Sequence, residues 1–121
     1  MPNYDGSITG FVCGDDLTIT RTIGNIPSGQ TLTSATITIK DIERAVTPLV
    51  QYTVTSVSSA NGVITDTGAD GTGAVTFQLS NTDTALLTPN ENCFYWIDVV
   101  TSASKIYTPE KGVIRGEVNN S

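Results

Sequence analysis

The chain has 121 residues, 38% of them hydrophobic and 15% charged, which is enough for one core, too little for two comfortable domains and too apolar for a disordered chain. Twelve acidic and six basic residues leave a net charge of −6. An acidic surface without a Lys/Arg cluster repels phosphate, which argues against nucleic acid and anionic membrane as partners.

The acidity itself reads as ordinary solubility rather than as attraction to a basic partner. No apolar run approaches the ~18 residues of a membrane helix. The opening stretch Met1-Pro2-Asn3-Tyr4-Asp5-Gly6-Ser7-Ile8 has neither the basic start nor the apolar core of a secretion leader. The expectation is a chain made and used in a cytoplasm, or exported by assembly into something larger.

Taken in chain order, residues 1–7 read as a flexible N-terminus and Ile8–Cys13 as a short first strand. Asp16–Ile23 alternates Leu17, Ile19, Arg21 and Ile23 with Thr18, Thr20 and Thr22, so one side faces a core. Arg21 breaks that apolar side, and its head is expected to reach solvent near the strand end. The Gly24-Asn25-Ile26-Pro27-Ser28-Gly29 loop follows, with Leu32 tucked beneath it. In Ser34–Asp41, Ala35, Ile37 and Ile39 point inward while Thr36, Thr38 and Lys40 point out. β-branched residues dominate both runs, which favours a pleated surface over a helix.

Leu49–Val57 and Val63–Thr67 read as further strands, the second opened by the turn signal Asn61-Gly62. Gly73–Ser80 is another, with Val75, Phe77 and Leu79 inward. Asn81–Leu87 breaks the period: Asn81 caps a single helical turn that plugs one end of the core with Leu86 or Leu87. Cys93–Thr101 is apolar on both sides, as befits a central strand that is covered twice or lies against a partner. Ile106–Tyr107 and Gly112–Val118 form the last strand, interrupted at Pro109, which must sit at an edge or a bulge. Residues 119–121 form a tail.

Short strands punctuated by turns every ~8–12 residues describe an all-β, antiparallel β-sandwich over residues 8–118 with one short helical turn. Its predicted core is Leu17, Ile19, Ile37, Ile39, Val75, Phe77, Leu79, Trp96 and Ile97.

The chain contains no histidine, which removes the commonest general base and most zinc sites. Cys13 and Cys93 stand 80 residues apart without a C-x-x-C pair, so they form no metal site; they are buried thiols, or a sheet-to-sheet disulfide should their strands be neighbours. Asp15, Asp16, Asp66, Asp70, Glu91 and Asp98 are the carboxylates from which a glycosidase pair would have to be drawn, and nothing in their spacing brings two face to face. Asp66-Thr67-Gly68-Ala69-Asp70-Gly71 lacks the middle and terminal ligands of a calcium loop and reads as a hairpin tip. Tyr52, Phe94, Tyr95, Trp96 and Tyr107 would make a sugar platform if they shared an open surface; a sandwich of this size places its aromatics in the core first. The Asn119-Asn120-Ser121 triplet carries no weight as a glycosylation signal without a secretion leader. No catalytic residue, cofactor or metal is expected.

One order of features goes further. Gly14-Asp15 leads into an alternating strand, then Leu32-Thr33-Ser34-Ala35-Thr36-Ile37-Thr38-Ile39-Lys40, then Val75-Thr76-Phe77-Gln78-Leu79-Ser80. Thr82-Asp83-Thr84-Ala85-Leu86-Leu87, Phe94-Tyr95-Trp96-Ile97-Asp98-Val99 and Tyr107-Thr108-Pro109-Glu110-Lys111-Gly112-Val113-Ile114 complete it. From Gly14 to Val118 this resembles the N-terminal domain family of phage baseplate upper proteins and related small immunoglobulin-like domains of tailed-phage particles. The resemblance implies a non-catalytic structural or adaptor component of the tail or baseplate region of a virion. Such a component docks on other phage structural proteins and on further copies of itself. The alternative is a carbohydrate- or cell-surface-binding sandwich module.

Overall fold

The computed structural model describes residues 3–42 and 45–118. Eight strands and one helical turn follow in chain order: β1 (Asn3–Val12), β2 (Leu17–Ile23), β3 (Leu32–Lys40), β4 (Val50–Val54), β5 (Gly62–Asp66), β6 (Gly73–Leu79), α1 (Asn81–Thr84), β7 (Cys93–Thr101) and β8 (Ile106–Glu117). They form two layers, a five-stranded sheet ordered β1-β8-β7-β3-β4 and a three-stranded sheet ordered β2-β6-β5. All pairings are antiparallel except β1 with β8, which is parallel. β1 begins at Asn3, ahead of the expected Ile8, and the expected tail at 119–121 lies outside the described residues.

The two-residue period in the sequence becomes the inner and outer side of each sheet. Ile19 and Ile23 of β2, Ala35, Ile37 and Ile39 of β3, Val75, Phe77 and Leu79 of β6, and Tyr95, Ile97 and Val99 of β7 are all buried between the layers. Each large side chain among them contributes about 1.5–3 kcal/mol through removal of apolar surface from water. Leu17 is half-buried at the start of β2.

Trp96 was expected in the core and is not there: it is half-buried on the outer side of the five-stranded sheet. Neighbouring residues of a strand point to opposite sides, so Trp96 cannot share the interior with Tyr95 and Ile97. Thr38, expected to face water, points outward yet is buried, and its hydroxyl accepts a hydrogen bond from Gln51 Nε2 at 3.0 Å.

The helical turn forms where expected, with a different cap. Ser80, not Asn81, is the N-cap; its hydroxyl accepts from the Asp83 backbone N–H while the Asp83 carboxylate accepts from the Ser80 N–H at 2.8 Å. Leu87 is the buried plug and Leu86 is exposed. Pro109 lies where the β7–β8 register slips, since Ile97 faces Glu110 while Val99 faces Tyr107. That is a bulge, a position that needs no N–H from the ladder.

Cys13 and Cys93 are free and buried. Cys13 follows β1 and Cys93 opens β7, strands that flank β8 and do not pair with each other. Two inter-strand spacings amount to about 9.6 Å, beyond the ~7 Å that a disulfide can span.

Candidate functional site

The outer side of the five-stranded sheet collects the features that neither core nor turn accounts for. Register sets its rows. Phe94 lies between Val113 of β8 and Lys40 of β3, and Trp96 between Lys111 and Thr38. Asp98 lies beside Thr36, and Val100 between Ile106 and Ser34. Phe94, Trp96, Val100 and Val113 are half-buried, and Ile106 is 70% exposed. The three-stranded sheet covers the other side, and among the described residues no element lies over this one.

Charge marks the same surface. Lys40 Nζ stands 5.2 Å from the centroid of the Trp96 ring, within cation–π range. Lys111 faces Trp96 from the opposite strand, and Arg115 follows on the outer side by alternation. Asp98 accepts a hydrogen bond from Thr108 Oγ1 at 2.6 Å. The result is an aromatic stripe flanked by cations on a molecule of net charge −6. The outer side of the other sheet carries uncharged Thr18, Thr20, Thr22, Ala74, Thr76 and Gln78 on β2 and β6, with Asp66 of β5 beside Ala74 at its edge. There Thr18 bonds Gln78 and Thr20 lies 3.4 Å from Thr76, hydroxyl to hydroxyl.

Most carboxylates gather at the sandwich ends. Asp15 and Asp16 lie in the β1–β2 turn, Glu91 before β7 and Glu117 at the end of β8. Hydrogen bonds bring them to one pole: Cys13 N–H to Glu117 O at 3.0 Å, Asn90 N–H to Gly116 O at 2.7 Å, and Thr84 Oγ1 to Asp15 O at 2.7 Å. Asp41, just beyond the end of β3 where Lys40 faces Phe94, is exposed at this pole too. Leu86 and Val118 are exposed apolar side chains of the same end. Asp66 ends β5 and Asp70 lies in the β5–β6 loop, and each accepts from a backbone N–H two residues on, Gly68 and Thr72 respectively. The hairpin-tip reading of that loop therefore holds. Among the described residues no three His, Cys, Asp or Glu side chains come together as metal ligands.

A second cluster lies between the sheets, and sequence reasoning missed it. Arg21, expected to reach solvent, sends its guanidinium across the sandwich: Nε donates to both carboxylate oxygens of Glu110, at 2.9 and 3.0 Å. The Tyr95 hydroxyl donates to the same carboxylate. Only 29% and 20% of the Arg21 and Glu110 side chains remain exposed. Burial works against the Arg21 charge, but the Glu110 carboxylate outweighs it and raises the guanidinium further. Burial, and then the bond to Glu110, push the Tyr95 hydroxyl well above its ordinary value. The carboxylate is fully engaged with residues of its own chain, so the cluster fastens one sheet to the other. An inward Arg on one strand and a Glu beside Pro109 on another were the available sequence signal.

The five aromatics do not assemble into one platform. Tyr52 and Tyr95 turn inward, the former donating its hydroxyl to Asp83 Oδ1 at 2.6 Å, and Tyr107 sits beyond the bulge at the start of β8. Of these five, Phe94 and Trp96 share the outer surface.

No protein-family model matches the chain, and no curated protein does. Among solved structures it is similar to the NK cell receptor Nkp44, a triggering partner in natural cytotoxicity: identity is 15%, the match covers 97% of this chain and 100% of that one, and the TM-score is 0.52. At such identity the likeness is one of fold, since unrelated functions share this architecture. The chain folds as an immunoglobulin-like β-sandwich.

Proposed function

We propose that the chain is a non-catalytic docking domain, a structural or adaptor component of a tailed-phage or prophage particle in its tail or baseplate region. The observation that carries the docking role is the outer surface around Trp96, aromatic and cation-flanked, with no layer of the described chain over it. A tryptophan at the centre of a patch is among the residues that dominate protein–protein contacts, and lysines at its rim act on encounter and register. The placement in a phage particle rests on the motif order from Gly14 to Val118.

The test is assembly. Particles purified from the host that carries the gene should contain the chain stoichiometrically by mass spectrometry. A Trp96→Glu variant that melts within a few degrees of the parent should be lost from them. A chain absent from such particles would end the phage reading; undiminished incorporation of the variant would end the role of this surface.

The presence of Phe94 and Trp96 on an open sheet side favours one other reading, a carbohydrate-binding module. Its platform is reduced to two rings, one of them capped by Lys40. Binding of a glycan array, abolished by Trp96→Ala, would establish it over the particle reading.

A further inference from the structure

We infer that Asn61 is a site of self-modification: its side-chain amide hydrolyses through the neighbouring backbone whenever the turn that joins Ser59 to Gly62 opens. Of the asparagines in the chain only Asn61 is followed by glycine, the neighbour that least obstructs approach of its own nitrogen to a side chain. The fold cannot give that glycine up. Gly62 stands at φ +132°, and a Cβ on it would lie 2.0 Å from Thr76 O and 3.0 Å from Phe77 Cα. Only a residue without a side chain lets β5 start this close to β6. Asn61, by contrast, is held through its backbone. Its N–H donates to Ser59 Oγ at 3.3 Å, and its carbonyl accepts from the Gln78 N–H at 2.9 Å. Neither bond uses the carboxamide.

The same turn holds the reaction back. Attack requires the Gly62 backbone nitrogen, which is buried and donates to Ser59 O at 3.2 Å. Ser59 N–H and Oγ both donate to Gly62 O, at 3.1 Å each. Ala60 and Asn61 are the central residues of this tight reversal. While its bonds stand, the nitrogen is occupied. Ser59 and Ala60 are exposed, and the turn lies at the margin of the three-stranded sheet. A segment so placed opens locally without global unfolding.

Once open, the chain supplies every reactant but water. Gly62 N gives its proton to solvent hydroxide and attacks Asn61 Cγ. The new N–Cγ bond closes a cyclic imide, the Cγ–Nδ2 bond breaks, and the leaving nitrogen takes a proton from water and departs as ammonia. Water then opens the imide. Cleavage at the side-chain carbonyl gives an aspartate at position 61; cleavage at the backbone carbonyl gives isoaspartate. The balance is an amide and water converted to a carboxylic acid and ammonia. The isoaspartyl backbone runs through Cβ and is one atom longer between Ser59 and Gly62, so their reciprocal bonds no longer fit. The turn cannot close again, and a further negative charge joins a chain of net charge −6. Each converted molecule keeps a permanent record that the start of β5 came loose.

Peptide mapping by mass spectrometry follows the conversion of amide to acid, and labelling by isoaspartyl methyltransferase identifies isoaspartate. In the full chain unfolded by urea, Asn61 should convert ahead of every other asparagine. In the folded chain it should still convert, at least about tenfold more slowly, because only the locally open fraction reacts. Ser59→Ala removes the Oγ bonds to Asn61 and Gly62 and should speed conversion several-fold in a chain that melts within a few degrees of the parent. Urea below the unfolding transition should do the same to the unsubstituted chain, and it carries the test if Ser59→Ala does not fold. Asn61→Gln should show no conversion at that position.

Earlier reaction at another asparagine, or a folded chain still unconverted after weeks, overturns the site. Equal rates in the folded and unfolded chain overturn its control by the turn. So does a folded Ser59→Ala that converts at the parent rate, or a parent rate that urea below the transition leaves unmoved.

Discussion

Arg21 shows how one residue departs from the pattern of its strand. It points inward on β2 between Ile19 and Ile23, where a guanidinium is tolerated only if its charge is met. Glu110 meets it from the opposite sheet, and Tyr95 holds the carboxylate in place. Removing the carboxylate takes the ion pair from Arg21, which keeps only Thr20 O, and the acceptor from the Tyr95 hydroxyl, so Glu110→Ala should cost about 2–3 kcal/mol. Urea denaturation measures this; a loss below about 0.5 kcal/mol would mean that the cluster is ornamental.

The same scale sets the pH limits. Burial pushes the Asp83 carboxyl up, but the Tyr52 hydroxyl and the Ser80 N–H and hydroxyl outweigh it and leave it below its ordinary 3.8. A depressed folded value favours the ionised form, so this contribution is complete above pH ~4 and is lost as pH falls through the folded value. Tyr95 is the reverse case: its raised folded value favours the neutral form, so its contribution is complete below pH ~10 and is lost as pH rises above that. Thermal melts across pH should show an acid limb flattened by Asp83→Asn and an alkaline limb flattened by Tyr95→Phe.

At the scale of the element, β7 is decisive. It is the middle strand of its sheet, with Cys93, Tyr95, Ile97, Val99 and Thr101 inside and Phe94, Trp96, Asp98 and Val100 outside. Ile97→Ala should therefore cost about 3 kcal/mol through the cavity it leaves, and Trp96→Ala under about 1 kcal/mol despite deleting the larger side chain. Chemical denaturation of the two variants decides this, and the opposite order would mean that the strand is turned over. The strand was plain in the sequence because β-branched and aromatic residues cluster between turn residues. Its two sides were not, because apolar residues occupy both and periodicity cannot rank them. Similarly, Ser80 and Asp83 stand at capping-box spacing, yet Asn81 is also a good cap. Only the extended backbone of Ser80 settles which residue closes the turn.

For the whole molecule, two layers and their order explain what spacing could not. The count of strands and the alternation were enough for a sandwich. The parallel pairing of β1 with β8 was not legible, because pairing partners are far apart in sequence. That pairing puts Cys13 and Cys93 on either side of β8 instead of on neighbouring strands. Both thiols should be silent to Ellman's reagent until the chain unfolds, and reductant should leave the melting temperature unchanged; a shift of several degrees would reveal a bridge. The docking surface was hidden for the same reason. Lys40, Trp96 and Lys111 are scattered in the sequence and meet only through the β3–β7–β8 register, just as Asp15, Glu91 and Glu117 meet only where the strands end.

The most direct test of the docking surface is a concentration series of amide NMR spectra, in which contact reveals itself residue by residue. The account predicts that signals of Thr38, Lys40, Phe94, Trp96 and Lys111 move or broaden together, while the Thr18–Thr22 strand stays still. Changes confined to that threonine-rich sheet, with the surroundings of Trp96 unaltered, would contradict it.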